Sequence, residues 1–158
     1  MLSVYGILAF MNTPERVVLG TDHAGFALKE AVKAHLIAKK IDVIDCGTSS
    51  EDEVDYPPFI RKAAQAVLEY GCPGIVFGGS GNGEAMVANK VHGIRCARCV
   101  SLWDAEMARR HNDAQMMSLA GRVTDKKLAC EMVDLFLVTP FDGGRHEKRL
   151  LQFPDAQS

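Results

Sequence analysis

Apolar runs short enough for strands alternate along this chain with segments whose apolar residues recur every four positions, and no internal repeat or low-complexity linker interrupts the pattern. Arg16-Val-Val-Leu-Gly20 reads as a buried strand, and over residues 25–40 Leu28, Val32 and Leu36 share one face of a helix. Residues 41–45 form a second apolar run, ending in a polar loop (46–55) rich in Ser, Glu and Asp. Pro57 and Pro58 suit the first turn of a helix, which the pattern carries to about Tyr70. Gly74-Ile-Val-Phe77 is a third strand and runs into the densest glycine cluster of the sequence. The pattern then predicts a helix over 83–90, a strand over 94–100 and a helix over 103–111. A strand over 116–120 and a helix over 124–138 follow, with a basic segment, 145–151, at the end.

Five βα units in succession predict an α/β fold: a single three-layer α/β/α domain, Rossmann-like, with a five-stranded, mostly parallel sheet and right-handed crossovers. At 158 residues the chain has room for one domain by the rule of ~150 residues each. A chain of this size buries about 68–70% of its unfolded surface, enough for a core without metal or disulfide staples. That domain is expected over 15–158. The apolar segment 1–14 has no basic leader before it and ends near a second methionine, Met11, so it reads as an N-terminal extension outside the fold.

Hydrophobic residues make up 47% and charged residues 24%, which excludes a disordered tail protein. Eighteen basic against 20 acidic side chains leave a net charge of −2, which argues against nucleic-acid and anionic-membrane partners. No stretch approaches the ~20 apolar residues of a membrane span. Five cysteines (Cys46, Cys72, Cys96, Cys99, Cys130) are an odd, scattered set of the kind found in the reducing cytosol, so a cytoplasmic location is expected. Cys96 and Cys99 lack a second pair to complete a zinc site and fall inside a strand, so they read as buried, inert thiols.

Ligands of such sheets bind beyond the carboxyl ends of the strands, so the residues after each strand matter most. Asp22-His23 follows the first strand, Cys46-Gly47-Thr48 the second, and Gly78-Gly-Ser80-Gly81-Asn82-Gly83-Glu84 the third. Ser101 follows the fourth, with His111-Asn112-Asp113 one helix later, and Gly121-Arg122 follows the fifth. These polar segments are all expected on one rim. The glycine loop before a helix offers N–H groups to an anion. It matches no P-loop, dinucleotide or nucleophile-elbow spacing. Glu84 is either an ordinary helix-dipole acid or a general base facing that loop. Asp22 has an equally plain alternative as a helix cap. Arg145 and Arg149 stand one helical turn apart beside His146, and with Arg122 they suit a phosphate monoester as well as a solvated face. The histidines show no metal-ligand spacing.

Taken in order, Gly20-Thr-Asp22-His23-Ala-Gly25, Asp45-Cys-Gly-Thr48, Asp55-Tyr-Pro57 and Gly78–Glu84 form an extended signature. Ala88-Asn-Lys90, Gly93-Ile-Arg95, Arg110-His-Asn-Asp-Ala114, Gly121-Arg122 and Gly144-Arg-His146 with Arg149 continue it. The set resembles the sugar-phosphate isomerases of the ribose-5-phosphate isomerase B and galactose-6-phosphate isomerase type, from residue 16 to 149. The resemblance implies an aldose–ketose isomerase of pentose phosphate metabolism, working through a cis-enediolate with no metal or cofactor. One branch of that family has a Cys as base at the position of Gly78, the other a Glu at the position of Glu84, and this chain looks like the second. By the same resemblance Ser80 passes a proton between O1 and O2, His111 opens the furanose ring, and Asp22 holds sugar hydroxyls or assists ring opening. The backbone of Gly79, Gly81, Asn82 and Gly83 stabilises the enediolate. His23, Arg122, Arg145 and Arg149 bind the phosphate with His146 near them, and Asn112 lines the sugar. The resemblance further implies a homodimer, or a tetramer of such dimers, with sites shared between subunits. D-ribose 5-phosphate is the leading substrate, other phosphorylated aldoses (allose, galactose or a tetrose) the alternative. A non-catalytic phosphate- or nucleotide-binding module and a redox module built on Cys96 and Cys99 are readings of another class.

Overall fold

The computed structural model describes residues 13–153. The expected extension over 1–14 lies, up to residue 12, outside the described residues, as does the end of the expected domain from 154 to 158. Five strands, β1 (Arg16–Thr21), β2 (Asp42–Asp45), β3 (Gly74–Gly78), β4 (Cys96–Arg98) and β5 (Met116–Ala120), form one sheet in the order β2-β1-β3-β5-β4. Every pairing is parallel. The helices are α1 (Phe26–Ala38), α2 (Tyr56–Tyr70), α3 (Asn82–Ala88), α4 (Leu102–Arg110), α5 (Lys126–Val138) and α6 (Arg145–Leu150). No helix of the described residues is long and apolar enough to cross a membrane.

The central strands β1, β3 and β5 read as continuous apolar runs because both of their faces are covered. On one side Leu28, Val32 and Leu36 of α1 pack with Ala105 and Ala108 of α4 and Met132, Val133 and Phe136 of α5. On the other, Ile60, Ala63, Ala64 and Val67 of α2 pack with Ala88 of α3. Local chemistry explains the helix ends. Pro57 and Pro58 open α2, and Gly71 closes it at φ 60°. Ser101 accepts the Asp104 N–H ahead of α4, and Asp125 accepts those of Lys127 and Leu128 ahead of α5.

Two local features depart from the apolar pattern. The strand expected over 94–100 is only three residues long. Asn89, at the end of α3, bonds both backbone groups of Cys96 with its side-chain amide, at 2.8 Å each, and so occupies the entry of β4. Lys29 on α1 is 1% exposed, although it carries a charge. Its ammonium is bonded to Glu30 and, at 2.7 Å, to Asp45 at the end of β2. Asp45 also takes Lys33 at 2.8 Å and the Gly47 N–H at 3.0 Å, so this cluster anchors the start of the 46–55 loop.

Candidate active site

Strand order places the ends of β1, β3 and β5 side by side. The chain leaves β1 toward β2 on one side and continues through β3 and β5 on the other, so a crevice opens at their carboxyl ends. Backbone bonds knit the three exits together: Gly121 donates to Gly78 O at 2.7 Å and Arg122 to Gly79 O at 3.3 Å. The Thr21 hydroxyl lies 3.1 Å from Phe77 O. Asp22, His23, Gly79 to Glu84 and Arg122 therefore come together at the carboxyl ends of these strands.

Glu84, in the first turn of α3, is only 4% exposed. Burial pushes its carboxyl above the ordinary range, and the neighbouring Asp22 charge adds to this, while the N–H groups of Gly81 and of Glu84 itself pull it down. A carboxylate held this way accepts a proton more readily than a solvated one. It lies directly against Gly78. A Cβ at residue 78 would overlap the carboxyl and stand 2.6 Å even from its farther oxygen, Oε2. A side chain at 78 and the observed Glu84 carboxyl exclude each other. This gives a steric reason why a Cys base at one position and a Glu base at the other would be alternatives.

Asp22 stands at the turn into α1. One oxygen takes the Gly25 N–H at 3.1 Å, closing the turn before α1, while its charge acts on Glu84. The Nδ1 of His23 lies 3.2 Å from both the N–H and the C=O of Val54, so the 46–55 loop fixes the ring. Ser80 is exposed at the tip of the glycine loop, and its hydroxyl accepts the Asn82 N–H at 3.3 Å. The Arg122 guanidinium stands against Gly79, its Cζ 3.4 Å from where a Cβ would be. A buried carboxylate, N–H donors, a hydroxyl and a guanidinium thus lie close together.

The remaining expected residues do not join them, and the single-rim expectation is corrected here. Helix α4 runs back antiparallel to β4, so His111 and Asn112 at its end lie at the opposite, amino edge of the sheet, where β5 begins. His146 and α6 lie with them. The rings of His111 and His146 stack at 4.2 Å and 7°. Arg145 Nε is 3.4 Å from His146 Nε2. His146 is buried, which lowers its pKa, and His111, Arg145 and Arg149 lower it further against the opposing pull of Asp142. Asp142 is gripped by Arg110 through both oxygens at 3.1 Å. Donor atoms of His111, Asp142 and His146 lie within 4.8 Å of one another, a spacing open to a metal. Arg110, Arg145 and Arg149 stand around this group, however, and their positive charge opposes a bound cation. The chemistry of this corner favours an anion.

An open groove of about 640 Å³ runs beside it at the amino edge, lined by Asn89, Arg95, Asn112, Leu150 and Phe153 among others, and Glu84 takes no part in it. Exposed apolar side chains lie along this flank and on the outer side of α3 and α4: Met86, Val100, Leu102, Trp103, Leu151 and Phe153. The Cys96 and Cys99 thiols are pushed up to about 12 by burial, as expected of inert cysteines. Two residues that touch the glycine loop went unnoticed in the sequence, Arg98 on β4 and Ser118 on β5. A serine in the middle of the apolar run 116–120 was the available signal.

Comparison with known proteins gives one consistent result. The family model for Ribose/Galactose Isomerase matches residues 17–153. Ribose-5-phosphate isomerase B of Mycolicibacterium paratuberculosis is 46% identical over 138 residues, 85% of this chain and 87% of that protein. Among solved structures, a ribose 5-phosphate isomerase from Thermotoga maritima superposes with a TM-score of 0.85 at 45% identity, covering 87% of this chain and 95% of that one. Ribose-5-phosphate isomerase B from Mycoplasma genitalium, solved with bound ribulose-5-phosphate, gives 0.82 at 34% identity, covering 87% and 92%.

Proposed function

The chain belongs to the ribose/galactose isomerase family, and from that premise we propose that it interconverts D-ribose 5-phosphate and D-ribulose 5-phosphate through a cis-enediolate, with Glu84 as the base. The observation that carries the mechanism is the buried Glu84 carboxyl, raised in pKa and set beside the N–H groups of the glycine loop. Isomerisation of an aldose needs a base at a carbon acid, donors where negative charge develops, and an anchor on the unreacting phosphate. In this reading His111 moves the anomeric hydroxyl proton to the ring oxygen and opens the sugar. Glu84 takes the proton from C2 and returns it to C1, while Ser80 carries the O2 proton to O1. Backbone N–H groups of Gly79, Gly81, Asn82 and Gly83 hold the developing enediolate charge. Asp22 binds sugar hydroxyls, and its charge helps keep Glu84 basic.

The two halves of this machinery lie at opposite edges of the sheet, which supports a site built from two chains. Asp22, His23, Ser80, Glu84 and Arg122 come from one subunit. The partner subunit's His111, the partner subunit's Asn112, the partner subunit's Arg145, the partner subunit's His146 and the partner subunit's Arg149 complete it from their amino-edge corner. The phosphate then sits among His23, Arg122 and the partner's arginines. The exposed Met86, Leu102 and Trp103 supply apolar surface for such a contact.

The test is a direct assay of ribose 5-phosphate conversion in EDTA, with wild type and Glu84→Gln. The proposal expects turnover that survives the chelator and falls about 10²–10⁴-fold in the variant. Turnover unchanged in Glu84→Gln overturns the base. The family's galactose members favour a second reading, the same chemistry on a longer phosphorylated aldose. A panel of four-, five- and six-carbon aldose phosphates separates the two.

A further inference from the structure

The glycine loop is held from behind by two side chains that the mechanism above does not use. Arg98 on β4 and Ser118 on β5 are register partners across a parallel pairing, so their side chains emerge next to each other on one face of the sheet. Each takes one of two consecutive carbonyls of the loop. Arg98 Nε donates to Ser80 O at 2.7 Å, and the fully buried Ser118 hydroxyl donates to Gly81 O at 2.7 Å.

A planar trans peptide points its C=O and N–H in opposite directions, so fixing one aims the other. With Ser80 O drawn toward Arg98, the N–H of Gly81 faces away from β4, and it is one of the two backbone donors that act on the Glu84 carboxyl. With Gly81 O drawn toward Ser118, the N–H of Asn82 faces away from β5, and it is the group that donates to the Ser80 hydroxyl. Between these two planes Gly81 adopts φ 76°, a left-handed conformation with little intrinsic preference to hold it. The bond from a guanidinium is charge-assisted, and it polarises the same peptide whose N–H meets the base.

We propose that Arg98 and Ser118 are positioning residues for this reaction, which lock the peptide planes on either side of Gly81 and so aim their N–H groups at the base and at the proton-carrying hydroxyl. The inference rests on Glu84 and Ser80 having the roles given above. Neither Arg98 nor Ser118 touches the substrate in this arrangement; Arg98 is exposed and reaches the loop from the edge strand.

The experiment is steady-state kinetics on Arg98→Met, Arg98→Lys and Ser118→Ala, with pH profiles of kcat/KM and thermal unfolding of each. Arg98→Met is expected to lower kcat about tenfold with KM within about twofold, because the phosphate anchors are untouched while donors in the transition state are misaligned. The acidic limb of kcat/KM moves to higher pH, because Glu84 loses part of the Gly81 N–H. The other charged groups facing that carboxyl, Asp22 after β1 and Arg122 after β5, stay in place. Arg98→Lys, which keeps a cationic donor, recovers most of the rate. Ser118→Ala lowers kcat with KM retained. Arg98→Met with wild-type kcat and an unmoved limb overturns the inference. So does a loss of rate that tracks a fall in unfolding temperature while the limb stays put. Glu84→Gln keeps the two proposals apart: if it is inactive while Arg98→Met is normal, only the positioning role falls. If it turns over like wild type, the base falls and this inference with it.

Discussion

Two variants, each inactive alone, are expected to restore one another when they share a dimer. Glu84→Gln removes the proposed base from the carboxyl-edge half of the site. The double variant Arg145→Ala/Arg149→Ala removes the proposed phosphate grip from the amino-edge half. Along β5 alone, from Met116 to Ala120, these edges are separated by four steps of ~3.3 Å, or about 13 Å. A catalytic group must come within about 3 Å of the atom it serves, so Glu84 and His111, both proposed to act at the C1–C2 end of the sugar, do not reach it together within one chain. In a two-fold dimer each site takes one half from each subunit. A mixed dimer then has one site carrying both lesions and one carrying neither. Random pairing makes half of the dimers mixed, so the mixture regains about a quarter of wild-type activity under this isologous arrangement. The purified mixed dimer regains about half. Each variant alone stays about 10²-fold or more below wild type. Co-expression with two different affinity tags, sequential purification and the ribose 5-phosphate assay measure this. Mixed dimers verified by native mass spectrometry but no more active than their parents would refute the division of the site between subunits.

Further expectations follow from individual contacts. Gly78→Ala places a Cβ against the Glu84 carboxyl and is expected to cost kcat about as much as Glu84→Gln, about 10²-fold or more, in the same assay. Glu84 has a folded-state pKa above its ordinary 4.5, so the folded protein binds that proton more tightly than the unfolded chain does. Its stabilising effect is therefore present at low pH and lost as pH rises through the raised value, and Glu84→Gln should unfold at a higher temperature than wild type at pH 7. In the same window kcat/KM falls as pH drops through that raised value, because the base must be ionised. For Asp45, burial pushes the carboxyl up, but the Lys29 and Lys33 ammonium groups and the Gly47 N–H outweigh it and hold the pKa below 3.8. Its contribution is present above 3.8 and lost as pH falls through the lower folded value. Asp45→Asn leaves Lys29 buried with only Glu30 beside it, and is expected to cost about 3 kcal/mol in urea unfolding at pH 7. A cost under about 1 kcal/mol would show that Glu30 suffices.

Periodicity and punctuation made the order of elements legible, because the central strands β1, β3 and β5 are mostly apolar and several helices open on a local signal. Ser101, Asp125 and the Pro57-Pro58 pair mark helix starts that the structure keeps. The residues around the crevice were legible for the same reason, since they follow strands directly. His111 was misplaced because it ends a helix, and a helix returns the chain to the far edge before the next strand begins. Reading direction as well as order would have separated Glu84 from His111. The short β4 was not legible, because its start is taken by the side-chain amide of Asn89, a pairing between residues seven apart that no periodicity carries. Lys29 stayed hidden for a similar reason. A lysine beside Leu28 looks like the polar flank of an amphipathic helix until Asp45, on another element, draws it inward.

The overlap between residue 78 and the Glu84 carboxyl also bears on how such an enzyme changes over generations. A descendant that acquired a thiol at 78 first would have to swing the Glu84 carboxyl out of its observed place, since the two compete for the same few cubic ångströms. Discarding the acid first leaves an intermediate without the proposed base. The crossing calls for both replacements together, or for an interim shortening of Glu84 to a residue that makes room, and an ancestor caught between the two solutions would have been a poor catalyst.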